Sequence, residues 1–194
     1  MDPSPQFLLI VVIALSALHM LAPDHWVPVT VASYRRSYTR FRTLLLASAI
    51  GLAHGFSSAL VSVAIATIGS FFFPAYYVNL FAVLLLVGVA IYIIANAARE
   101  SKAGTKAESV SMLVSVIPDP ALVPFILIAQ GFGSVYTYAM LGAFVATAAV
   151  SLVLVVYLAL VGLAKALSRL RAEYVDYFVA LALILVAAFV YLYG

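Results

Sequence analysis

The chain has 194 residues, 66% of them hydrophobic and 9% charged, with a mean hydropathy of +1.19. So few charges cannot coat a water-soluble domain of this size, which excludes that class and leaves a membrane domain. With no cysteine, disulfides, thiolate metal sites and thiol-relay chemistry are excluded as well.

In chain order, six apolar stretches are long enough to cross ~30 Å of hydrocarbon as helices. They run over about 5–32, 44–69, 78–98, 109–130, 134–164 and 174–193. No stretch is left over for a second domain, so the expectation is an all-α, polytopic membrane protein forming one transmembrane domain over 1–194. Residues 1–6 lack the basic start of a signal peptide and carry Asp2, so the first helix reads as retained.

All ten lysines and arginines fall after odd-numbered stretches. Arg35, Arg36, Arg40 and Arg42 follow the first; Arg99, Lys102 and Lys106 the third; Lys165, Arg169 and Arg171 the fifth. The connections Ser70–Tyr77 and Gly131–Val135 carry none. This alternation is the positive-inside pattern, and it places the basic loops in the cytoplasm with both termini outside the plasma membrane. The pI of about 9.2 thus reflects orientation and lipid contact, with no nucleic-acid partner implied. Tyr34, Tyr38, Tyr76, Tyr77, Tyr136, Tyr138, Tyr174 and Tyr177 lie near helix ends, as interfacial aromatics do. Glu100, Glu108, Glu173 and Asp176 flank basic loops and read as solvated.

The two halves of the chain echo each other. The first stretch contains Pro23-Asp24-His25-Trp26-Val27-Pro28, and the fourth contains Pro118-Asp119-Pro120-Ala121-Leu122-Val123-Pro124. Gly51 and Gly142 open similar segments in the second and fifth, as Phe81 and Phe178 do in the third and sixth. Repeat one covers 1–98 and repeat two 109–194. With three helices per half, the second repeat must be inverted in the membrane. Inverted repeats with interrupted helices in matching positions are a signature of secondary transporters.

Each proline removes an N–H and frees a carbonyl one turn back. Lipid cannot satisfy such a carbonyl, so breaks in helices 1 and 4, at Pro23 and Pro118, must face protein, water or an ion. All three histidines, His19, His25 and His54, lie in these apolar stretches, together with Asp24 and Asp119. Intramembrane ionisable residues are costly, so this set is a candidate functional site. On a straight helix, steps of five and six residues turn ~140° and ~240°, and His19, Asp24 and His25 would diverge. A break at Pro23 lets them converge. Asp119 has two readings, ligand or cap of the segment after Pro118. Trp26 reads as a packing residue or interface anchor, Met20 as a packing residue, Ser57, Ser58, Thr147 and Ser151 as helix-packing positions, and Gly51, Gly55 and Gly142 as positions of close helix approach.

The spacing His19-x-x-x-x-Asp24-His25 resembles the H-x-x-x-x-D-H motif of the nickel/cobalt transporter family. Gly51-Leu-Ala-His54-Gly-Phe-Ser57-Ser58-Ala-Leu-Val61 is similar to that family's second, G-H-S-x-V-V-type motif. Pro118-Asp119-Pro120 resembles the proline-rich segment opening the second half of its short, six-helix members. The classical members have eight helices with the first motif in the second; here it lies in the first. The His-rich cytoplasmic loop of the exporting relatives has no counterpart in this chain.

The resemblance implies a permease for Ni²⁺ or Co²⁺, working inward across the cytoplasmic membrane, with metal bound by His19, Asp24, His25, His54 and Asp119. The chemistry of the donors agrees independently: imidazole and carboxylate suit Ni²⁺, Co²⁺ and also Zn²⁺. No phosphate-binding loop is present, so the expected mechanism is secondary, without ATP hydrolysis and without a catalytic cofactor. A single copy and a homo-oligomer are both compatible with the sequence. The alternatives are an exporter or a carrier of another substrate on the same fold, and an intramembrane metal-dependent hydrolase. An H-E-x-x-H pair is absent, which counts against the hydrolase.

Overall fold

Helix starts and stops in this chain are set by a few polar and helix-breaking residues in a mostly apolar sequence. The computed structural model describes residues 4–72, 74–103, 118–119, 121–163 and 172–193. Within them the helices are α1 (Pro5–Met20), α2 (Pro23–Arg35), α3 (Arg40–Phe72), α4 (Ala75–Ala103), α5 (Leu122–Gln130), α6 (Ser134–Leu158) and α7 (Ala172–Tyr193). A π-helical turn, Ala159–Leu163, extends α6. There is no strand among the described residues, and the all-α class expected from the sequence is what the structure has.

Ser4 caps α1, its Oγ accepting the Phe7 N–H at 3.2 Å, and Pro5 occupies the first turn, where a missing N–H costs nothing. Thr39 caps α3 in the same way, accepting the Arg42 N–H at 3.3 Å. Gly133 enters α6 with φ of +100°, a conformation that only glycine adopts without strain, and this permits the tight turn from α5.

Two helices are long and apolar enough to cross a membrane alone, over Arg40–Gly69 and Ser134–Gly162. The pair α1–α2, bent by 41° at its break, passes the same test together and counts as a third where the two are taken as one broken span. α4 and α7 carry the shorter apolar segments Leu80–Ala95 and Tyr177–Ala188. Only 33% of each long window is buried within the protein, so most of its surface faces outward. That surface is apolar (Leu45, Phe56 and Leu60 on α3, Val150 and Leu154 on α6), and such a face needs lipid rather than water. Of the fourth apolar stretch, 109–117 and Pro120 lie outside the described residues. Its described part after the break is the nine-residue α5, in which Leu122 through Ala129 are all buried. Lys106, Lys165, Arg169 and Arg171 also lie outside the described residues, as do the side chains of Arg99 and Lys102.

α3 packs along α6, α4 packs along α7, α1 crosses α6, and α5 sits among α3, α4 and α6. The larger core joins Leu8, Val12 and Leu15 of α1 to Leu86 of α4, Phe125 and Ile126 of α5 and Leu183 of α7. A second core lies around Met20, Trp26 and Val29, against Ala47 and Ile50 of α3 and Leu152 of α6.

The α3–α6 contact depends on two glycines one turn apart. A Cβ on Gly51 would stand 2.7 Å from the Ala149 Cα, and one on Gly55 2.8 Å from the Val145 Cα. Backbones come this close only where a small residue leaves room. Gly142, read from the sequence as an equivalent position, has nothing within 4 Å of its Cβ site and makes no close approach among the described residues. The two glycines should therefore respond oppositely. Gly51→Ala is expected to lower stability by about 1–3 kcal/mol through overpacking, whereas Gly142→Ala should be neutral or gain up to about 1 kcal/mol from helix propensity. Melting temperatures in one detergent check this, and equal melting of the two variants would refute the packing assignment.

Candidate metal centre

The break between α1 and α2 is built from hydrogen bonds that compensate for Pro23. Pro23 has no N–H to offer the His19 carbonyl, so α1 ends and Ala22 turns to extended backbone with ψ of 135°. The Ala22 N–H reaches the His19 carbonyl at 3.1 Å, and the Leu21 N–H reaches that of Leu18 at 3.1 Å. The Leu21 carbonyl accepts the indole N–H of Trp26 at 3.1 Å, and the His25 N–H donates to Ala22 at 3.2 Å. Trp26, which the sequence leaves as packing residue or interface anchor, is buried and so packs, with a further role in closing the break.

The result is to fold His25 back toward His19. Their Nε2 atoms lie 3.0 Å apart and share a hydrogen bond, one ring supplying the proton. His54, buried near the middle of α3, completes a triangle: its ring centroid is 5.5 Å from that of His19 and 5.1 Å from that of His25, which are themselves 4.6 Å apart. Phe144 of α6 closes one side, its ring centroid 6.3 Å from that of His54, and its carbonyl accepts the buried Ser16 hydroxyl at 3.3 Å.

Asp119 comes to the same place from the second half of the chain. Ligand atoms of His19, His54 and Asp119 all lie within 4.8 Å of one another. Bonds of about 2.1 Å to one ion would set neighbouring donors ~3 Å and opposite donors ~4.2 Å apart. The 4.8 Å limit exceeds both, so the three side chains must draw together to close on a cation. Asp119 is also a cap: its Oδ1 accepts the Ala121 N–H at 2.8 Å at the entrance to α5. The two roles read from the sequence are compatible, because a carboxylate has two oxygens and several lone pairs. Asp24 lies at the start of α2 and its side chain is outside the described residues.

Ser58 ties the two halves together. Its hydroxyl donates to the His54 carbonyl at 2.8 Å and accepts the Asp119 N–H at 2.8 Å. Sequence reasoning assigned Ser58 to helix packing and missed this bridge; the available signal was its position one turn after His54, on the same face of α3. Phe144 was missed as well, since an apolar residue in an apolar helix carries no such signal.

Four groups, His19, His25, His54 and Asp119, thus converge from α1, α2, α3 and the segment before α5. Imidazoles together with a carboxylate form an N/O donor set suited to a borderline divalent cation. Comparison with known protein families, curated proteins and solved structures returns no match.

Ser58→Ala is expected to destabilise the protein by about 1–3 kcal/mol, because the Asp119 N–H loses its acceptor. Asp119→Asn should melt close to wild type, since an amide oxygen still accepts from Ala121, whereas Asp119→Ala should lose about 1 kcal/mol. Thermal melts of the three variants test the bridge and the cap separately.

Proposed function

We propose that the chain is a transition-metal cation permease that takes up Ni²⁺ or Co²⁺ across the cytoplasmic membrane without ATP. The observation that carries this reading is the convergence of His19, His25, His54 and Asp119 inside an apolar helix bundle. A divalent ion entering hydrocarbon needs its lost hydration replaced, and these donors supply that. The spacing His19-x-x-x-x-Asp24-His25, similar to the nickel/cobalt transporter motif, supports the same assignment and adds Asp24 as a fifth ligand.

The transport mechanism follows from a proposed architecture of six spans in two inverted repeats, with both termini outside. Its support is a packing pattern that survives exchange of the halves. The second spans of the two repeats, α3 and α6, pair with each other, and so do the third spans, α4 and α7. α1 packs on α6 and α7 as α5 packs on α3 and α4. The break at Pro23 and the start of α5 after Asp119 both lie beside the donor cluster. Two like halves around one central site can rock to open it to either side in turn. The membrane potential favours inward movement of a divalent cation by ~4.6 kcal/mol per 100 mV, which suits uptake.

Radioactive nickel uptake into proteoliposomes, with Co²⁺ and Zn²⁺ as competitors, tests the function. His25→Ala and His54→Ala should each lower uptake by about tenfold or more while the protein remains folded; wild-type uptake by both would overturn the assignment, and metal loss from preloaded vesicles along the potential would indicate export. A second test follows from the shared proton between His19 and His25. A neutral ring can free its Nε2 by moving the proton to Nδ1, but a protonated ring must lose a proton before it binds, so metal and protons compete wherever the rings are charged. Calorimetric titration of Ni²⁺ in two buffers of different ionisation enthalpy should show proton release. Affinity should fall as pH drops, because protons compete for the ligating nitrogens. Binding without proton release between about pH 5.5 and 7 would show that the histidines are not the ligands.

A further inference from the structure

Away from the histidine cluster, a concavity of mixed polar and apolar lining lies at the end of α2. Ser33 and Tyr34 of α2, Ser37 and Tyr38 of the link, Arg40 and Thr43 of α3, and Leu160 of the turn after α6 surround a cavity of about 430 Å³. That volume lies in the usual range of small-molecule sites, about 300–1,000 Å³. We infer that this cavity is a binding site for the phosphate headgroup of an anionic phospholipid.

Charge makes the first part of the argument. Arg35, Arg36, Arg40 and Arg42 fall within eight positions, and the nearest acids along the chain are Asp24 and Glu100. The cationic cluster therefore has no neighbouring carboxylate in its own segment to neutralise it. Guanidinium groups match phosphate oxygens with paired, planar N–H donors.

Hydrogen-bond accounting makes the second part. The Ser33 and Thr43 hydroxyls already donate, to the Val29 carbonyl at 2.8 Å and the Thr39 carbonyl at 3.1 Å. Tyr38 accepts from the Arg36 Nη1 at 3.4 Å, which brings Arg36 to the rim and leaves the phenolic proton to donate elsewhere. The donors of the lining left for an incoming group are thus Arg40, Tyr38 and Ser37, with Arg36 beside Tyr38, a set that suits an anion. Ser37 itself holds φ of +51°, which is uncommon for a residue with a Cβ. Such backbone tends to persist where a site depends on the turn.

The surroundings identify the source of the phosphate as lipid. Next to Arg40, Phe41 and Leu45 lie one turn apart on α3 and are 76% and 60% exposed, and Tyr34 at the rim is 84% exposed. Apolar side chains beside a cationic cavity at a helix end suit acyl chains below a headgroup. The inference rests on the chain lying in a bilayer and is independent of any metal.

Native mass spectrometry of the full chain in detergent, titrated with phosphatidylglycerol, phosphatidylcholine or inorganic phosphate, tests it. Phosphatidylglycerol should be retained at least about fivefold better than phosphatidylcholine, and each of Arg36→Gln and Arg40→Gln should reduce that preference by up to about fivefold. Tyr38→Phe should weaken it less, and all three variants should melt like wild type. Equal retention of both lipids, or an undiminished preference in the Arg36→Gln/Arg40→Gln double variant, would overturn the site. Displacement of phosphatidylglycerol by millimolar inorganic phosphate would overturn the lipid assignment by pointing to free phosphate. If a variant does not fold, wild-type protein in phosphatidylcholine nanodiscs doped with phosphatidylglycerol gives the same preference without mutation.

Discussion

A peptide carbonyl with no donor, in surroundings that contain no water to replace it, is the constraint from which the centre of this molecule follows. Pro23 creates that problem for His19, and the chain meets it locally: Ala22 turns back onto the orphaned carbonyl, and the Trp26 indole covers the next exposed one. The geometry that satisfies the backbone is the same geometry that folds His25 against His19. In an apolar bundle, where each unpaired group costs several kcal/mol, the hydrogen bonding of the break and the convergence of the imidazoles are one event.

The second half of the chain is brought to this point mainly by neutral contacts. Gly51 and Gly55 let α3 and α6 touch backbone to backbone, which sets the distance between His54 and the wall at Phe144. Ser58, one turn along the same helix, holds the Asp119 amide, and Asp119 in turn holds the start of α5. The carboxylate is thus fixed by its own backbone and by the helix it caps before any cation is considered. Groups held in this way are preorganised, and little side-chain entropy remains to be lost when a ligand arrives.

Much of this was legible in the residues, for physical reasons that differ from place to place. Long apolar stretches carry a strong signal, and among the described residues α3, α4, α6 and α7 overlap the stretches that hydropathy marks, whereas of the fourth only α5 is described. Prolines announce their own consequence, and the interruption at Pro23 could be located to the residue. Convergence of His19 with His25 followed from helical arithmetic once the interruption was granted. Serine in an apolar helix is ambiguous, because a hydroxyl bonding back to its own helix and one bridging to another segment look the same in sequence; Ser58 does both. Glycine is ambiguous in a similar way. Gly51 and Gly142 read as matching positions in the sequence, yet among the described residues only Gly51 of the two meets a neighbouring backbone, since that contact depends on how two helices cross. The cavity beside Arg40 was invisible for the same reason: its walls come from α2, α3 and the turn after α6, and only their mutual placement creates it.

Trp26 has a bearing on more than the backbone it closes. It is the only tryptophan in the chain, it is buried, and it follows His25 directly. Its indole is bonded to the carbonyl at the very interruption that separates α1 from α2. Excited at wavelengths that the twelve tyrosines do not absorb, this one indole gives an emission that comes from one place, immediately beside the imidazoles. Open-shell cations quench indole emission at short range, and a change in the angle between the two helices would alter the polarity around the ring. Occupancy and hinge motion can thus be followed optically in the unlabelled wild-type chain, without the ambiguity that several tryptophans would introduce.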